Sequence, residues 1–261
     1  MSSSGLRLLV LVVVALLSRM EVGAEDFSGA FDAANKLYEQ GNYPAAAAAY
    51  EHLIQSGQRS ETLYFNLGDA WFKAGQLGRA IAAWRQAEFL SPRDPALRFN
   101  LQFTRKKVSG SEAAVGTAWS RVLRTLTLNE WTRLTSGALW VWFVLLALRE
   151  VRPVWRVALS GYTATAGGAA LLLAGCVAAA AHLELKSTSA VVTVPEAIVR
   201  SGPLEEAKVL YHFRDGVEVD VLDEIHLATD GQNQTWLQVR DTANHTGWVK
   251  NDQVVVLRPR R

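Results

Sequence analysis

Any catalytic or metal site in this 261-residue chain would have to be built from five histidines, one cysteine and a few acidic pairs. His52, His182, His212, His226 and His245 show no metal-ligand spacing among themselves or with carboxylates, and there is no HExxH motif. The chain has no glycine loop that could cradle a phosphate and no nucleophile elbow. A single cysteine, Cys176, excludes a disulfide framework and a cysteine-based zinc site. It falls in an apolar stretch, where it reads as a small packing residue. Asp223-Glu224 and Glu205-Glu206 read as solvated surface charge, and Asn233-Gln-Thr and Asn244-His-Thr are glycosylation sequons in form. No enzyme, metal or cofactor is expected. The residues that do recur belong to recognition chemistry: Phe31, Phe65 and Phe99 stand 34 residues apart.

The same interval relates Phe65-Asn66-Leu67 to Phe99-Asn100-Leu101, Gly41 to Gly75, and Ala46 to Ala80. A period of this length is that of stacked helix pairs. Residues 27–107 therefore read as an all-α repeat domain. Small Gly68 and Ala80 let two antiparallel helices approach, Trp84 and Ala87 fill the layer between them, and Pro92 stops the second helix. Residues 95–107 repeat only a first helix, as a terminal cap would. The pattern Gly68-(x2)-Trp71, Gly75, Ala80, Trp84, Ala87, Pro92 resembles the tetratricopeptide repeat. Ala34, Leu37, Gly41, Tyr43, Ala46, Tyr50 and Leu53 form a looser unit without the closing proline. The resemblance implies a concave groove for a peptide or protein, lined by the first helices at Phe31, Asn35, Tyr38, Phe65, Asp69, Phe72, Lys73, Phe99 and Phe103. The family's clamp for a C-terminal carboxylate uses lysines and asparagines. Here only Asn35 and Asn66 fit it, and Phe31 stands where the clamp has lysine. An aromatic groove for an apolar helix or extended segment is expected instead. The phenylalanine row is either open to a partner or covered by residues 108–127.

With 49% hydrophobic and 20% charged residues the chain is too apolar for disorder, and a net charge of +2 makes no case for nucleic acid. Residues 1–24 carry Arg7, an apolar run from Leu8 to Leu17 and Val22-Gly23-Ala24, the order of a secretory signal peptide. The alternative is an uncleaved anchor helix. Residues 157–183 contain no charge. At about 1.5 Å per residue such a helix spans a hydrocarbon core about 30 Å thick. A first span over 131–148 counts Trp131 and lets Arg133 snorkel. The turn between them, 149–156, holds Arg149, Arg152 and Arg156 and is expected in the cytoplasm. The signal peptide then puts both soluble domains outside it. Within the 108–130 linker, Trp119, Val122, Leu123 and Leu126 share a helical face. That face lies either on the membrane surface or under the repeats.

Residues 187–257 read as all-β. Val217 to Val221 alternates, and further strands are expected at 190–194, 196–200, 207–213, 235–240, 246–250 and 253–257. Turns at Gly202-Pro203, Asp215-Gly216 and Asp230-Gly231 suggest a closed or nearly closed barrel. Five basic and eleven acidic residues, net −6, disfavour nucleic acid and anionic headgroups. Ile198-Val-Arg-Ser-Gly-Pro203, Gly216-Val-Glu-Val219, Trp236-Leu-Gln-Val239 and Gly247-Trp-Val249 resemble a bacterial SH3-like domain. Lys250 and Gln253 replace two residues of the eukaryotic polyproline shelf, so that mode of recognition is not expected. Trp236 is the candidate ligand contact, with partial burial as its alternative, and Trp248 is expected in the core.

The order signal peptide, repeats, two spans, SH3-like domain resembles the BatE proteins of bacterial aerotolerance operons, with Leu126-Thr-Leu-Asn-Glu-Trp131 running into the first span. The resemblance implies a scaffold in the bacterial inner membrane, working beside membrane-anchored von Willebrand factor A proteins and a MoxR-type ATPase. Two other readings stand beside it: a module that binds peptidoglycan through the SH3-like domain, and a transmembrane sensor, for which an eight-residue turn leaves little room.

Overall fold

The computed structural model describes residues 27–109, 122–123, 125–186, 188–229 and 232–257. The expected signal segment, most of the 108–130 linker and the Asp230-Gly231 turn lie outside the described residues. The chain divides into two compact units. One joins the residues up to Glu112 with those from Ser189 onward, and the other is Ala113–Thr188.

The first unit begins with five helices: α1 (27–39), α2 (Tyr43–Gln55), α3 (Glu61–Lys73), α4 (Leu77–Leu90) and α5 (Pro95–Ser109). Gly41 and Gly75, one repeat apart, take φ of 78° and 81° and end α1 and α3. This left-handed step lets the amides of Asn42 and Gln76 reach back to Leu37 and Trp71 at 3.0 and 2.9 Å. Side-chain oxygens of Ser60 and Asp94 accept from Leu63 N and Leu97 N at 3.1 and 2.8 Å, satisfying amides at the starts of α3 and α5. Ala34, Ala46, Leu63, Ala80, Trp84, Ala87 and Leu101 are buried in the helical core. Gly68 lies under the Trp84 indole, where a Cβ would come within 2.8 Å of Cε2, so the helix contact does require a residue this small.

Seven antiparallel strands follow: β1 (Ser189–Val192), β2 (Glu196–Arg200), β3 (Val209–Arg214), β4 (Glu218–Thr229), β5 (Gln232–Arg240), β6 (Thr246–Lys250) and β7 (Val254–Leu257). Their order in the sheet is β3-β2-β6-β5-β4-β1-β7. Phe213 of one edge strand and Val254 of the other share a core with Val199, Val219, Leu237, Val239 and Val249, so the sheet curls round on itself in the manner of an SH3-like domain. The strands fall where the sequence places them, except that β4 and β5 form a longer hairpin than the alternating run of 217–221 indicates. A register shift between Val221 and Asp223 marks the extension.

Strand alternation also joins helices to sheet. Ala190 and Val192 of β1 point into the barrel, whereas Val191 between them is buried in the helical core. Val254 and Leu257 divide β7 in the same way. Burying side chains of this size contributes about 1.5–3 kcal/mol each. Polar contacts fix the register of the two layers. Asp215 Oδ1, in the β3–β4 turn, accepts from Gly78 N at 3.1 Å. Glu218, at the start of β4, takes both Arg105 Nε and a terminal nitrogen of the same guanidinium, at 2.5 and 3.0 Å. Arg85 Nε lies 3.4 Å from the same carboxylate.

The second unit holds two long helices, α6 (Leu128–Val151) and α7 (Ser160–Lys186), both long and apolar enough to cross a membrane. Thr127 and Glu130 form a reciprocal capping box that starts α6. Trp131 packs with Leu123, Cys176 and Ala180, and its indole donates to Leu123 O at 3.0 Å. Cys176 is thus a packing residue. Gly167 lies against Trp142, and Arg149 donates to Thr163 Oγ1 at 2.9 Å, tying the two helices near their turn. Trp140 is 72% exposed and Val141, Phe143 and Leu171 are also uncovered, an apolar surface that suits lipid rather than water.

At Gly78 helix and sheet approach closely. A Cβ there would fall on the Val192 carbonyl oxygen and on Asp215 Oδ1, and 2.9 Å from Gly216 N. Gly78→Ala is expected to destabilise the full chain by about 1–3 kcal/mol, because backbone on the far side cannot give way. Thermal unfolding followed by circular dichroism checks this. A melting temperature unchanged from wild type would show that α4 and β1 are not in contact.

Candidate functional site

Helices α1, α3 and α5 present one wall of the repeat domain, and the polar residues on it are set by a contact that repeats. In the first unit Asn35 Oδ1 accepts from Tyr50 Oη at 2.6 Å and from Asn66 Nδ2 at 3.2 Å. In the second, Asp69 Oδ1 accepts from Trp84 Nε1 and from Asn100 Nδ2, both at 3.2 Å. Each member of the second set stands 34 residues after its counterpart in the first. The node ties both helices of one unit to the first helix of the next. Asn35 and Asn66 are therefore engaged with each other, which accounts for their presence without any ligand.

Six of the nine expected groove residues surround one cavity of about 240 Å³: Tyr38, Asp69, Phe72, Lys73, Phe99 and Phe103. Trp84, Asn100 and Thr104 complete its lining. Trp84 also belongs to the interhelical layer, and Asn100 and Thr104 are not among the groove positions that the repeat pattern assigns. The 34-residue interval between Asn66 and Asn100 was the available signal for one of them. Phe31, Asn35 and Phe65 do not line the cavity. Phe31 stacks on Phe27 at 5.8 Å and packs on Tyr50 at 5.9 Å, and both Phe31 and Phe65 lie half-buried against the helical core. The phenylalanine row is thus not uniform. Phe99 and Phe103 are 66% and 52% exposed, and they stack on each other at 6.2 Å. Residues 110–121, most of the segment expected as a cover, are outside the described residues.

Charge within this aromatic wall is sparse. Burial pushes the Asp69 carboxyl above its ordinary value, while the Trp84 hydrogen bond and the charge of Lys73 oppose the shift. Lys107 Nζ lies 5.6 Å over the Phe72 ring, so the chain already sets one cation on the wall. Thr104 is fully buried, and among the described residues nothing pairs with its Oγ1.

The barrel offers less. Trp236, the expected ligand contact, is 1% exposed. It lies on β5, with Ile225 opposite on β4 and Lys250 opposite on β6, and the Lys250 ammonium stands 5.7 Å over its ring. Lys250 in turn pairs with Glu205. A ring held this way has no free face for a ligand. Trp248 is also corrected: Gly247 and Val249 take the inward positions of β6, leaving Trp248 half-buried on the other face. Gln253 is structural, its Oε1 accepting from Ile198 N at 3.2 Å. Three of the histidines make local contacts on the barrel surface: His212 with Glu196 at 3.3 Å, His226 with Thr235 at 2.9 Å and His245 with Asp241 at 3.0 Å. Among the described residues no three histidine, cysteine or acidic side chains come together as a metal would need.

Comparison with known proteins agrees with both soluble parts. The tetratricopeptide repeat family model matches residues 31–95, and the bacterial SH3 domain model matches residues 193–254. No curated protein matches the chain. Repeats and domains of these two kinds are interaction modules, typically without catalytic activity.

The raised value of Asp69 has a measurable sign. The folded state holds the proton more tightly than the unfolded state, whose value is about 3.9. Its contribution to stability therefore grows as pH falls from neutral through the raised folded value, and is complete below the unfolded one. Asp69→Asn keeps the oxygen acceptor that Asn35 supplies in the first unit but cannot titrate. The melting temperature of wild type relative to Asp69→Asn should rise on acidification and level off below about pH 3.9. A difference independent of pH would mean that the carboxyl is solvated.

Proposed function

We propose that this chain is a non-catalytic, membrane-anchored scaffold of a bacterial envelope assembly that binds a protein partner through the cleft between α3 and α5. The observation that carries the reading is the cavity bounded by Asp69, Phe72, Phe99 and Phe103, on the wall that tetratricopeptide repeats use for their partners. A membrane-anchored von Willebrand factor A protein is the partner that the resemblance to BatE proteins favours.

One feature of the fold supports the membrane arrangement. The helices before the two apolar spans and the sheet after them form one compact unit. A single body cannot straddle a bilayer, so the chain must cross it an even number of times between them. Two crossings by α6 and α7 satisfy this. The arginines of the intervening turn favour placing it in the cytoplasm, with the soluble body on the periplasmic face of the inner membrane. A second reading, that the barrel binds peptidoglycan, is favoured by the bacterial SH3 match and is separated from the first by sedimentation with purified sacculi.

Two measurements on native membranes test the proposal. In a Cys176→Ala background, Arg59→Cys and Asp252→Cys should both be labelled from outside in intact spheroplasts, and Val154→Cys should be protected. Opposite accessibility of the first two would break the arrangement. A photoreactive residue at position 103 should crosslink to a membrane-anchored partner, with no such adduct from position 59. Equal adducts from both positions, or none, would count against the cleft.

A further inference from the structure

We infer that the cleft is a receptor for a basic side chain, so that the partner segment it holds carries an arginine or lysine among apolar residues. This rests on the scaffold reading and narrows it. The repeating node isolates the reason. Asn35 and Asp69 do the same structural work, each accepting from an aromatic donor on the second helix of its own unit and from an asparagine of the next. A neutral amide suffices for that work in the first unit. In the second the chain places a carboxylate, and that carboxylate lines a cavity. Both donors go to Oδ1. No described residue donates a hydrogen bond to Oδ2, so the half-buried charge is left to be met from the cavity.

The rest of the lining agrees. Phe72, Phe99, Phe103 and Tyr38 put four aromatic rings in the lining, and ring faces attract cations and repel anions through their quadrupoles. Lys107 over Phe72 is an internal instance of that attraction. Thr104 Oγ1, buried and without a hydrogen-bond partner among the described residues, also belongs to the lining. A guanidinium has a planar face for the rings and several N–H groups for two acceptors, so arginine fits better than lysine. Lys73 lies in the same lining as a competing cation, its charge already acting on the Asp69 carboxyl. The purely apolar segment expected from the sequence would desolvate the Asp69 carboxylate further and bring no donor to its Oδ2, which is costly.

The test uses the full chain in detergent micelles with 15N-labelled tryptophan. The reporter is the Trp84 indole N–H, which donates to Asp69 and is assigned by its loss in Trp84→Phe. Titration with n-butylguanidinium should shift this resonance saturably, n-butylammonium more weakly, and n-butyrate not at all. Asp69→Asn should weaken guanidinium binding at least about tenfold, as expected for losing a charge-assisted hydrogen bond. Lys73→Ala should strengthen it. No saturable shift with guanidinium, or an equal one in Asp69→Asn, overturns the inference. Saturable binding that appears only after Arg121→Ala and Arg124→Ala would also overturn it, because the chain would then fill its own cleft. Partner capture from position 103 with an unresponsive Trp84 indole would leave the scaffold reading intact and refute the basic side chain. A saturable shift without any captured partner would do the reverse.

Discussion

Helix α4 begins without a cap of its own: no side chain of Gln76 meets its free amides. Asp215, 137 residues further along the chain, supplies the acceptor for Gly78 N. Its carboxylate sits at the positive end of the helix dipole, where a negative charge is favoured. Burial raises its pKa, and the amides of Gly78 and Leu77, with Arg79, hold that rise in check. For this contact to exist position 78 must be glycine, because any side chain would displace the Val192 carbonyl or Asp215 itself. The rest of the soluble body depends on the approach so fixed. Val191 and Leu257 leave solvent for the helical core, and Gly216 comes close enough to Val108 that a Cβ would lie 2.7 Å from Cγ2.

Glu218 closes the same seam from the other end. One carboxylate serves Arg105 on α5 with two bonds and draws Arg85 on α4 to ion-pair distance. These side chains are largely covered, so the pair acts in a medium less screened than a surface bridge. The arginines come from the last two helices of the repeat domain, the same helices whose opposite side bounds the aromatic cleft. The barrel therefore steadies the cleft from behind. A repeat array this short has little stability of its own, and a sheet packed on its final full unit replaces the neighbouring repeat that would otherwise cover it.

Much of this was legible in the sequence because helices and strands are written in local periodicity. The 34-residue interval of Phe31, Phe65 and Phe99 located the helix pairs, and the alternation from Val217 to Val221 located the sheet. The interval also contained the polar node, through Asn35 and Asp69, Asn66 and Asn100, and Tyr50 and Trp84, but as spacing only. That these residues touch depends on how one pair of helices stacks on the next. Equal spacing did not imply equal exposure: Phe31 packs on Phe27 and Tyr50, while Phe99, on α5, is 66% exposed among the described residues. Trp236 is buried, the alternative that its position allowed, under a lysine that comes from another strand. The seam was scarcely legible. Its one trace was α4 itself, where Gly78 and Ala80 through Trp84 are buried on nearly every side, a pattern expected of a helix packed on two faces.

Repeat helices and barrel are one body joined through Glu218 and Asp215. A double-mutant cycle on Arg105 and Glu218 tests it most directly. Arg105→Met, Glu218→Gln and the double variant would be unfolded in urea as full chains. The seam requires a coupling energy of about 0.5–3 kcal/mol, with the double variant less unstable than the sum of the singles. Single effects that add to within about 0.3 kcal/mol would show that the two residues do not meet, and the one-body account would fail.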